Sequence, residues 1–339
     1  MVKSQKVIRT SAHTSEANLA SNRKVFSLDS MKEGFLLEQS CRSNTEATIQ
    51  YYQSNINRFM RYLEENDLEF TTESISRDQI KKYILYLKKS KKWKDTENIE
   101  SENVLSSISV QTYIRAIKAW ISWMEEEGYV EGPVSSGIKL PKAVKSVIEI
   151  LTEDEINTIA KFLDGKKQNK LRDILIVMLF LECGLRLDEL TKLKFKSVQL
   201  SQNSLTVLGK GQKERIVSYG VNLQKLIYKY INRERPAPYS SKVDALFLLS
   251  DGKAITQSTV KQLFKRMKRK TGIEKLHPHL LRHTYCTMYL ARGGDIFSLK
   301  QSTGHESFEI LNNYVHLAST LINIKTKSLS LLDNMKIKI

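Results

Sequence analysis

Residues 174–190 read ILIVMLFLECGLRLDEL, and this stretch decides the fold. Its first half, Ile174 to Leu181, is apolar without interruption, so a helix there has no polar face and must lie inside a core. The run is less than half of the roughly 20 apolar residues that a membrane span needs. Gly184 then breaks the helix, and Leu185 and Leu190 bracket an arginine and a carboxylate. Arg186 and Glu189 are three apart, so they share one face of the helix that follows. Glu189 can there orient the guanidinium toward a bound anion; a surface ion pair at a helix start is the plainer alternative.

Working outward toward the C-terminus, Ser204–Leu208 and Glu214–Ser218 read as two strands of a hairpin, joined by Gly209-Lys210-Gly211-Gln212. Such a turn presents Lys210 on a tip, as a proton donor to a leaving alkoxide, as a contact to phosphate or base, or as an ordinary solvated lysine. It is no Walker loop, because the Gly-Lys-Ser/Thr ending is missing. The next cluster is His277-Pro278-His279-Leu280-Leu281-Arg282-His283. Proline favours a first helical turn, so His279 and Arg282 share a face where backbone donors already favour phosphate. His279 and His283 also stand at i, i+4, a metal-like spacing, but no acidic residue lies between them and no cysteine pair is near. The last cluster is Gly304-His305-Glu306-Ser307 followed by Asn312-Asn313-Tyr314-Val315-His316. A phenol with a pKa near about 10 attacks phosphorus poorly unless cations stabilise the transition state. Tyr314 therefore depends on its neighbours for any chemical role.

Toward the N-terminus, Thr152 and Glu155 form a capping-box pattern ahead of a helix. Before it, Gly128 to Ile150 carries Gly132, Pro133, Gly137 and Pro141 among Lys139, Lys142 and Lys145, which reads as a linker running along phosphates. Three amphipathic helices precede it. The first carries Ile49, Tyr52, Ile56, Phe59, Met60 and Leu63, with Asn44 or Thr45 as cap. The second spans about 77–88. The third carries Val110, Tyr113, Ile114, Ile117, Trp120, Ile121 and Met124. A very polar stretch, Lys88 to Asn103, reads as a loop with an extra turn. Residues 1–40 are polar and serine-rich, a flexible arm with one short helix around Leu28–Leu37. The division expected is therefore an arm at 1–40, a helical domain at 41–128, a linker at 129–150, a second domain at 151–318 and a C-terminal tail at 319–339. The whole is mainly α with a small antiparallel β-sheet.

Across the 339 residues, 54 Lys and Arg stand against 37 Asp and Glu, a formal charge of +17 that attracts polyanions. Hydrophobic residues at 41% allow a core in each domain, which excludes a disordered chain. Cys41, Cys183 and Cys286 are too few and scattered for a disulfide framework or zinc cluster, and fit a reducing cytoplasm. The N-terminus has no apolar core like that of a signal peptide, so a cytoplasmic chain without membrane contact is expected.

In order, the clusters give Arg186, Lys210, His279-x-x-Arg282, His305 and Tyr314, and this order and context resemble the tyrosine recombinase, or phage integrase, family. Its Xer-like and transposon-borne members are the nearest in pattern. The resemblance runs from about Thr152 to Leu317, and takes in the Gly-Lys210-Gly-x-Lys213-x-Arg215 pattern of the hairpin. The helical region before it matches more loosely, through Thr112-Tyr113 and the Phe59 and Trp120 positions, and resembles the family's core-binding, SAM-like domain. The resemblance implies a two-domain DNA clamp, with a helical core-binding domain ahead of a mixed α/β catalytic domain. It also implies roles. Arg186 and Arg282 clamp the scissile phosphate, Lys210 protonates the departing 5′ oxygen, and His279 and His305 stabilise the phosphorane and assist proton transfer. Tyr314 is the nucleophile, leaving a 3′-phosphotyrosyl link, while Glu189 and His283 support the arginines. Lys213 leaves open which ammonium delivers the proton, with the Gly-Lys-Gly context favouring Lys210. No metal, cofactor or ATP is implied.

Double-stranded DNA at specific sites is the partner expected, with a homodimer on one site and a homotetramer in synapsis. The tail, with Leu321, Ile322, Ile324, Leu329 and Leu332, either closes its own core or docks on a neighbouring protomer. Base readers are expected near Gln111, Arg115 and Lys118 and near Gln257, Lys261, Lys265 and Arg266. The arm and the polar insertion favour, by analogy, a mobile-element enzyme for integration or transposition. The competing readings are a type IB topoisomerase, a non-catalytic DNA-binding protein and a metal-dependent nuclease.

Overall fold

The computed structural model describes residues 25–91, 104–142, 148–165, 168–209 and 213–327. Contacts divide the chain into two compact units, Met1–Ser146 and Val147–Ile339.

The first unit holds helices α1 (Leu28–Cys41), α2 (Glu46–Glu64), α3 (Arg77–Lys89) and α4 (Ser107–Glu126). Each begins at a hydroxyl N-cap, Ser27, Thr45, Ser76 or Ser106, whose side chain accepts a backbone N–H of the first turn. Of the two caps expected for α2, Thr45 is the one used. The apolar stripes converge on a core in which Phe59 meets the Tyr83 ring edge-on at 4.9 Å and Trp120 is fully buried. Two boundaries differ from expectation. The expected arm to residue 40 contains α1, and Leu28, Met31 and Phe35 at helical spacing fill this same core. The Trp120 Nε1–H donates to the Met31 carbonyl at 3.3 Å. The expected linker also begins later than residue 129. Val130 and Ile138 are buried against the unit, and Arg77 donates to the Pro133 carbonyl. Gly and Pro end α4, but the apolar residues between them still remove surface from water. The expected arm over residues 1–24 and most of the polar insertion lie outside the described residues.

The second unit runs α5 (Glu153–Asp164), α6 (Lys170–Cys183), α7 (Leu187–Thr191), β1 (Val198–Gln199), β2 (Ser204–Leu208), β3 (Glu214–Ser218), α8 (Val221–Arg233), α9 (Gln257–Thr271), α10 (Pro278–Ala291), α11 (Ile296–Thr303) and α12 (Phe308–Lys327). The three strands form one antiparallel sheet in the order β1-β2-β3, with Ser204 opposite Ser218 and Leu208 opposite Glu214. The fold class is thus mainly helical with a small antiparallel sheet. Thr152 and Glu155 make the capping box in both directions. The uninterrupted apolar run falls in α6. Leu175, Ile176, Val177, Leu179 and Phe180 are buried, and α8 and α10 pack against the helix. The expected boundary between residues 318 and 319 falls inside α12, which continues without a break to Lys327. Among the described residues no helix is long and apolar enough to cross a membrane.

Gly184 ends α6 in the left-handed conformation, at φ 58°, and turns the chain so that Arg186 starts α7. A Cβ at this position would lie 2.3 Å from the Tyr285 ring on α10. Backbone preference and packing therefore both require glycine. Gly184→Ala should lower the unfolding free energy by at least about 2 kcal/mol, measured by urea titration, because a left-handed alanine alone costs roughly 1–2. An unchanged midpoint would show that neither the left-handed backbone nor the Tyr285 contact requires glycine here.

Candidate active site

Arg186 is the N-cap of α7, and its own N3 residue holds it. The Glu189 carboxylate accepts the Arg186 backbone N–H at 2.7 Å and its Nη1 at 2.9 Å. Arg186 Nη2 donates to the Gly304 carbonyl at 2.7 Å. A second arginine reaches the same carboxylate from β3. Arg215 donates from Nη1 and Nη2 to the two Glu189 oxygens at 2.8 and 2.9 Å, and from Nε to the Ser302 carbonyl at 2.7 Å. Glu189 is 4% exposed. Burial alone would raise its pKa, but the Arg215 and Arg186 hydrogen bonds and charges outweigh it and hold the carboxyl at about 2. One buried anion thus fixes two guanidiniums.

Arg282 comes from α10, the helix that Pro278 starts. It is buried, with Nη1 on the Gly184 carbonyl at 2.5 Å, Nη2 on the Thr303 carbonyl at 2.9 Å, and Nη2 also 3.1 Å from His305 Nε2. Arg186 and Arg282 therefore anchor on consecutive carbonyls, Gly304 and Thr303, just before His305. Gly304 supplies the left-handed turn there, at φ 65°. Buried Thr303 places its hydroxyl 2.7 Å from His305 Nδ1. Tyr314 projects from α12 and is 2% exposed, its hydroxyl 2.7 Å from His283 Nδ1 on α10 and its ring centroid 6.0 Å from that of His305.

Burial, with Cys286 nearby and the charges of Arg282 and Arg186 opposing, pushes the Tyr314 phenol up to about 12. Burial first, then Arg282, Arg186, Arg215 and His283, pulls His305 down to about 3. Burial, His279, His277 and Arg282 pull His283 down to about 4. His279 is exposed at the surface yet sits in the crowded start of α10, and burial there, with Arg282, His277 and Arg186, lowers its pKa. At neutral pH His283 and His305 are therefore neutral, and the guanidiniums of Arg186, Arg215 and Arg282 carry the positive charge beside them. A cleft of about 730 Å³ opens beside this cluster, lined in part by Arg186, Lys213, Arg215, Lys300, Gly304 and His305. Four cationic side chains, Arg186, Lys213, Arg215 and Lys300, stand there against two carboxylates, Glu214 and Glu306, and this net positive lining suits an oxyanion such as a phosphodiester.

Of the residues singled out in the sequence, Arg186, Glu189, Arg282, His283, His305 and Tyr314 come together through these bonds. Lys210 and Lys145 lie outside the described residues. Lys213, the alternative ammonium, is exposed on the cleft wall. Three expected base readers are tied up within their own unit. Gln111 donates to the Pro141 carbonyl, Arg115 to the Gln111 side chain at 3.0 Å and Lys118 to the Ile138 carbonyl at 3.4 Å. These bonds hold residues 138–141 against α4, so Gln111 is a packing residue in this state. Gln257 donates to Asp188 at 3.1 Å, while Lys261, Lys265, Arg266, Lys139 and Lys142 are exposed. Among the described residues no group of three or more His, Cys, Asp or Glu could hold a metal ion. The sequence pattern assigns no role to two residues of the site. Arg215 stands in the hairpin pattern as one basic residue among several, and Thr303 carries no signal at all.

Comparison with known proteins places these groups in context. The profile of the phage integrase family matches residues 149–320, and that of the phage integrase SAM-like domain matches residues 35–133. Tyrosine recombinase XerC of Staphylococcus aureus strain JH9 is 28% identical over 295 residues, covering 86% of this chain and 93% of the relative. XerC of strain NCTC 8325 / PS 47 is 29% identical over 280 residues, covering 82% and 88%. Among solved structures, XerH site-specific recombinase bound to palindromic difH substrate aligns with a TM-score of 0.66 at 19% identity, covering 91% of this chain and 85% of the other. A lambda integrase dimer bound to a COC′ core site gives 0.67 at 17% identity, covering 86% and 78%. These structural likenesses are likenesses of fold.

The depressed Glu189 carboxyl has a sign that can be checked. Its folded pKa lies below the usual carboxylate value, so its contribution to stability is complete above about pH 5 and is lost as pH falls toward 2. The difference in unfolding free energy between wild type and Glu189→Gln should shrink over that window by about 3 kcal/mol. A difference that stays constant with pH would show that the carboxylate is not held by its arginines.

Proposed function

We propose a function for this chain from the premise that it belongs to the phage integrase family: it is a site-specific recombinase that cuts and rejoins DNA through a 3′-phosphotyrosyl intermediate. The observation that carries this reading is the joint anchoring of Arg186 and Arg282 on the Gly304 and Thr303 carbonyls, with His305 and Tyr314 beside them. Arg186 and Arg282 clamp the non-bridging oxygens of the scissile phosphate and stabilise the charge that grows on them. Tyr314 oxygen attacks phosphorus, the bond from phosphorus to the 5′ oxygen breaks, and an ammonium protonates the departing oxygen. Lys210 is that ammonium, with Lys213 the neighbouring alternative. A phenol at about 12 is protonated at neutral pH, so its proton leaves as the new bond forms, and His283 Nδ1 at 2.7 Å is the base in place. His279 and His305 complete the hydrogen bonding around the phosphorane. The covalent link retains the energy of the broken bond, so religation needs no ATP. Guanidinium and ammonium groups do here what a metal ion does in other nucleases.

Double-stranded DNA is the partner that the charge of +17 and the relatives' chemistry support. The helical unit and the catalytic unit act as two halves of a clamp, with exposed Lys139, Lys142, Lys261, Lys265 and Arg266 on phosphates. Two copies occupy one site and four assemble in synapsis. Mobile-element movement is the context we favour, since Tn1549 transposon integrase bound to transposon right end DNA shares the fold at TM-score 0.66.

A suicide substrate carrying a nick beside the cleavage point tests the reading. Wild-type protein should form a covalent protein–DNA adduct in EDTA, and Tyr314→Phe should form none. Arg186→Ala should slow adduct formation by about 10²–10³-fold, the cost of one transition-state donor. Adduct formation by Tyr314→Phe would move the nucleophile elsewhere, and loss of activity in EDTA would make the protein a metal-dependent nuclease.

A further inference from the structure

Thr303 is the last residue of α11 and is fully buried, so its side chain serves another side chain and not a bound phosphate; that partner is His305. Its hydroxyl makes two hydrogen bonds. It donates to the Leu299 carbonyl at 2.5 Å, one turn back in α11, and lies 2.7 Å from His305 Nδ1. A hydroxyl has a single proton, and a carbonyl can only accept. With that proton on Leu299, the Thr303 oxygen faces Nδ1 as an acceptor, so Nδ1 carries the ring hydrogen. The other ring nitrogen gives the same answer independently. His305 Nε2 is 3.1 Å from Arg282 Nη2, and a guanidinium can only donate, so Nε2 holds the lone pair. Donation therefore runs in one consistent direction, from Arg282 through His305 and Thr303 to Leu299.

We propose that Thr303 is a positioning residue that fixes His305 as the Nδ1–H tautomer, so that its Nε2 accepts from Arg282 and holds that guanidinium in the active site. The ring is neutral at working pH, because burial and the charges of Arg282, Arg186 and Arg215 disfavour the imidazolium. A neutral ring has two tautomers, and which one is present depends on the partner of the second nitrogen. Without the Thr303 acceptor, the hydrogen is free to move to Nε2. There it would point at the Arg282 N–H, donor against donor, and the guanidinium would lose one of the contacts that set its plane. Arg282 has no substitute on that side, since its other bonds go to the Gly184 and Thr303 carbonyls. In the DNA-free protein His305 is thus a hydrogen-bond acceptor at Nε2, directed at Arg282.

The activity arm of this inference rests on the recombinase reading, whereas the tautomer itself does not. Two-bond ¹⁵N–¹H correlation spectra of histidine-labelled full-length protein distinguish Nδ1–H from Nε2–H rings, and His305→Gln assigns the signal among the six histidines. The wild-type His305 ring should be Nδ1–H without DNA. Thr303→Val, close in volume, should populate Nε2–H, and Thr303→Ser should restore Nδ1–H. At saturating enzyme on the suicide substrate, Thr303→Val should slow adduct formation by about tenfold or more, the lower range for a displaced acid–base group. DNA affinity should stay within about twofold of wild type, and Thr303→Ser should recover the rate. An Nε2–H ring in the wild type, or an unchanged tautomer in Thr303→Val, would overturn the proposal. So would a Thr303→Ser protein as slow as Thr303→Val, since only packing would then be at stake. If Thr303→Val fails to fold, the wild-type spectrum and the serine variant still decide the matter. If wild type shows the expected tautomer but forms no adduct, the recombinase reading fails while the tautomer assignment stands.

Discussion

The site is built on one buried carboxylate. Positive groups a few ångströms apart repel by roughly 4 kcal/mol at an effective dielectric of about 20. A pocket meant to hold an anion must gather them before the anion arrives. Glu189 makes that assembly stable by bonding Arg186 and Arg215 through both oxygens, from within α7 itself. The backbone N–H of Arg186 closes the same carboxylate into a capping box, so the charge network and the helix start are one structure. Arg215 also ties β3 to the Ser302 carbonyl at the end of α11, and the sheet is thereby coupled to the turn that carries His305.

Everything else at the centre is neutral. Burial and the surrounding positive charge deprotonate His283 and His305, and burial keeps the Tyr314 phenol protonated. Beside Glu189 and His305 the positive charge is thus carried by guanidiniums whose protonation does not change over working pH. The imidazoles and the phenol serve as hydrogen-bonding and proton-moving groups. Tyr314 sits against His283 with little exposure, its hydroxyl 2.7 Å from a ring nitrogen that can take its proton.

The carbonyls of Thr303 and Gly304 are the other organising element. They receive the two arginines in succession, although Arg186 follows α6 and Arg282 lies on α10, nearly a hundred residues later. Gly304 allows the turn that exposes both carbonyls on one side, and Gly184 allows the turn that delivers Arg186 to them. Two left-handed glycines therefore fix where the guanidiniums converge.

Much of this was legible in the residues alone. The unbroken apolar run of α6, the Thr152 capping box, the hairpin around residues 204–218 and the Arg186–Glu189 pairing depend on neighbours within a few positions, which a sequence displays. The order of Arg186, Lys210, His279, Arg282, His305 and Tyr314 pointed to the family because it is written in the chain. The burial of α1 and of Val130 and Ile138 was not legible, since a polar, serine-rich or proline-rich context says nothing about what a few apolar side chains will meet. Nor was the reach of Arg215 to Glu189, the service of Gln111 to Pro141, or the hydroxyl of Thr303 against His305. Local periodicity set the helices and named the charged groups. Which carboxylate, carbonyl or ring each group finally meets was decided only when distant segments packed together, because hydrogen bonds select partners by position in space and not by separation along the chain.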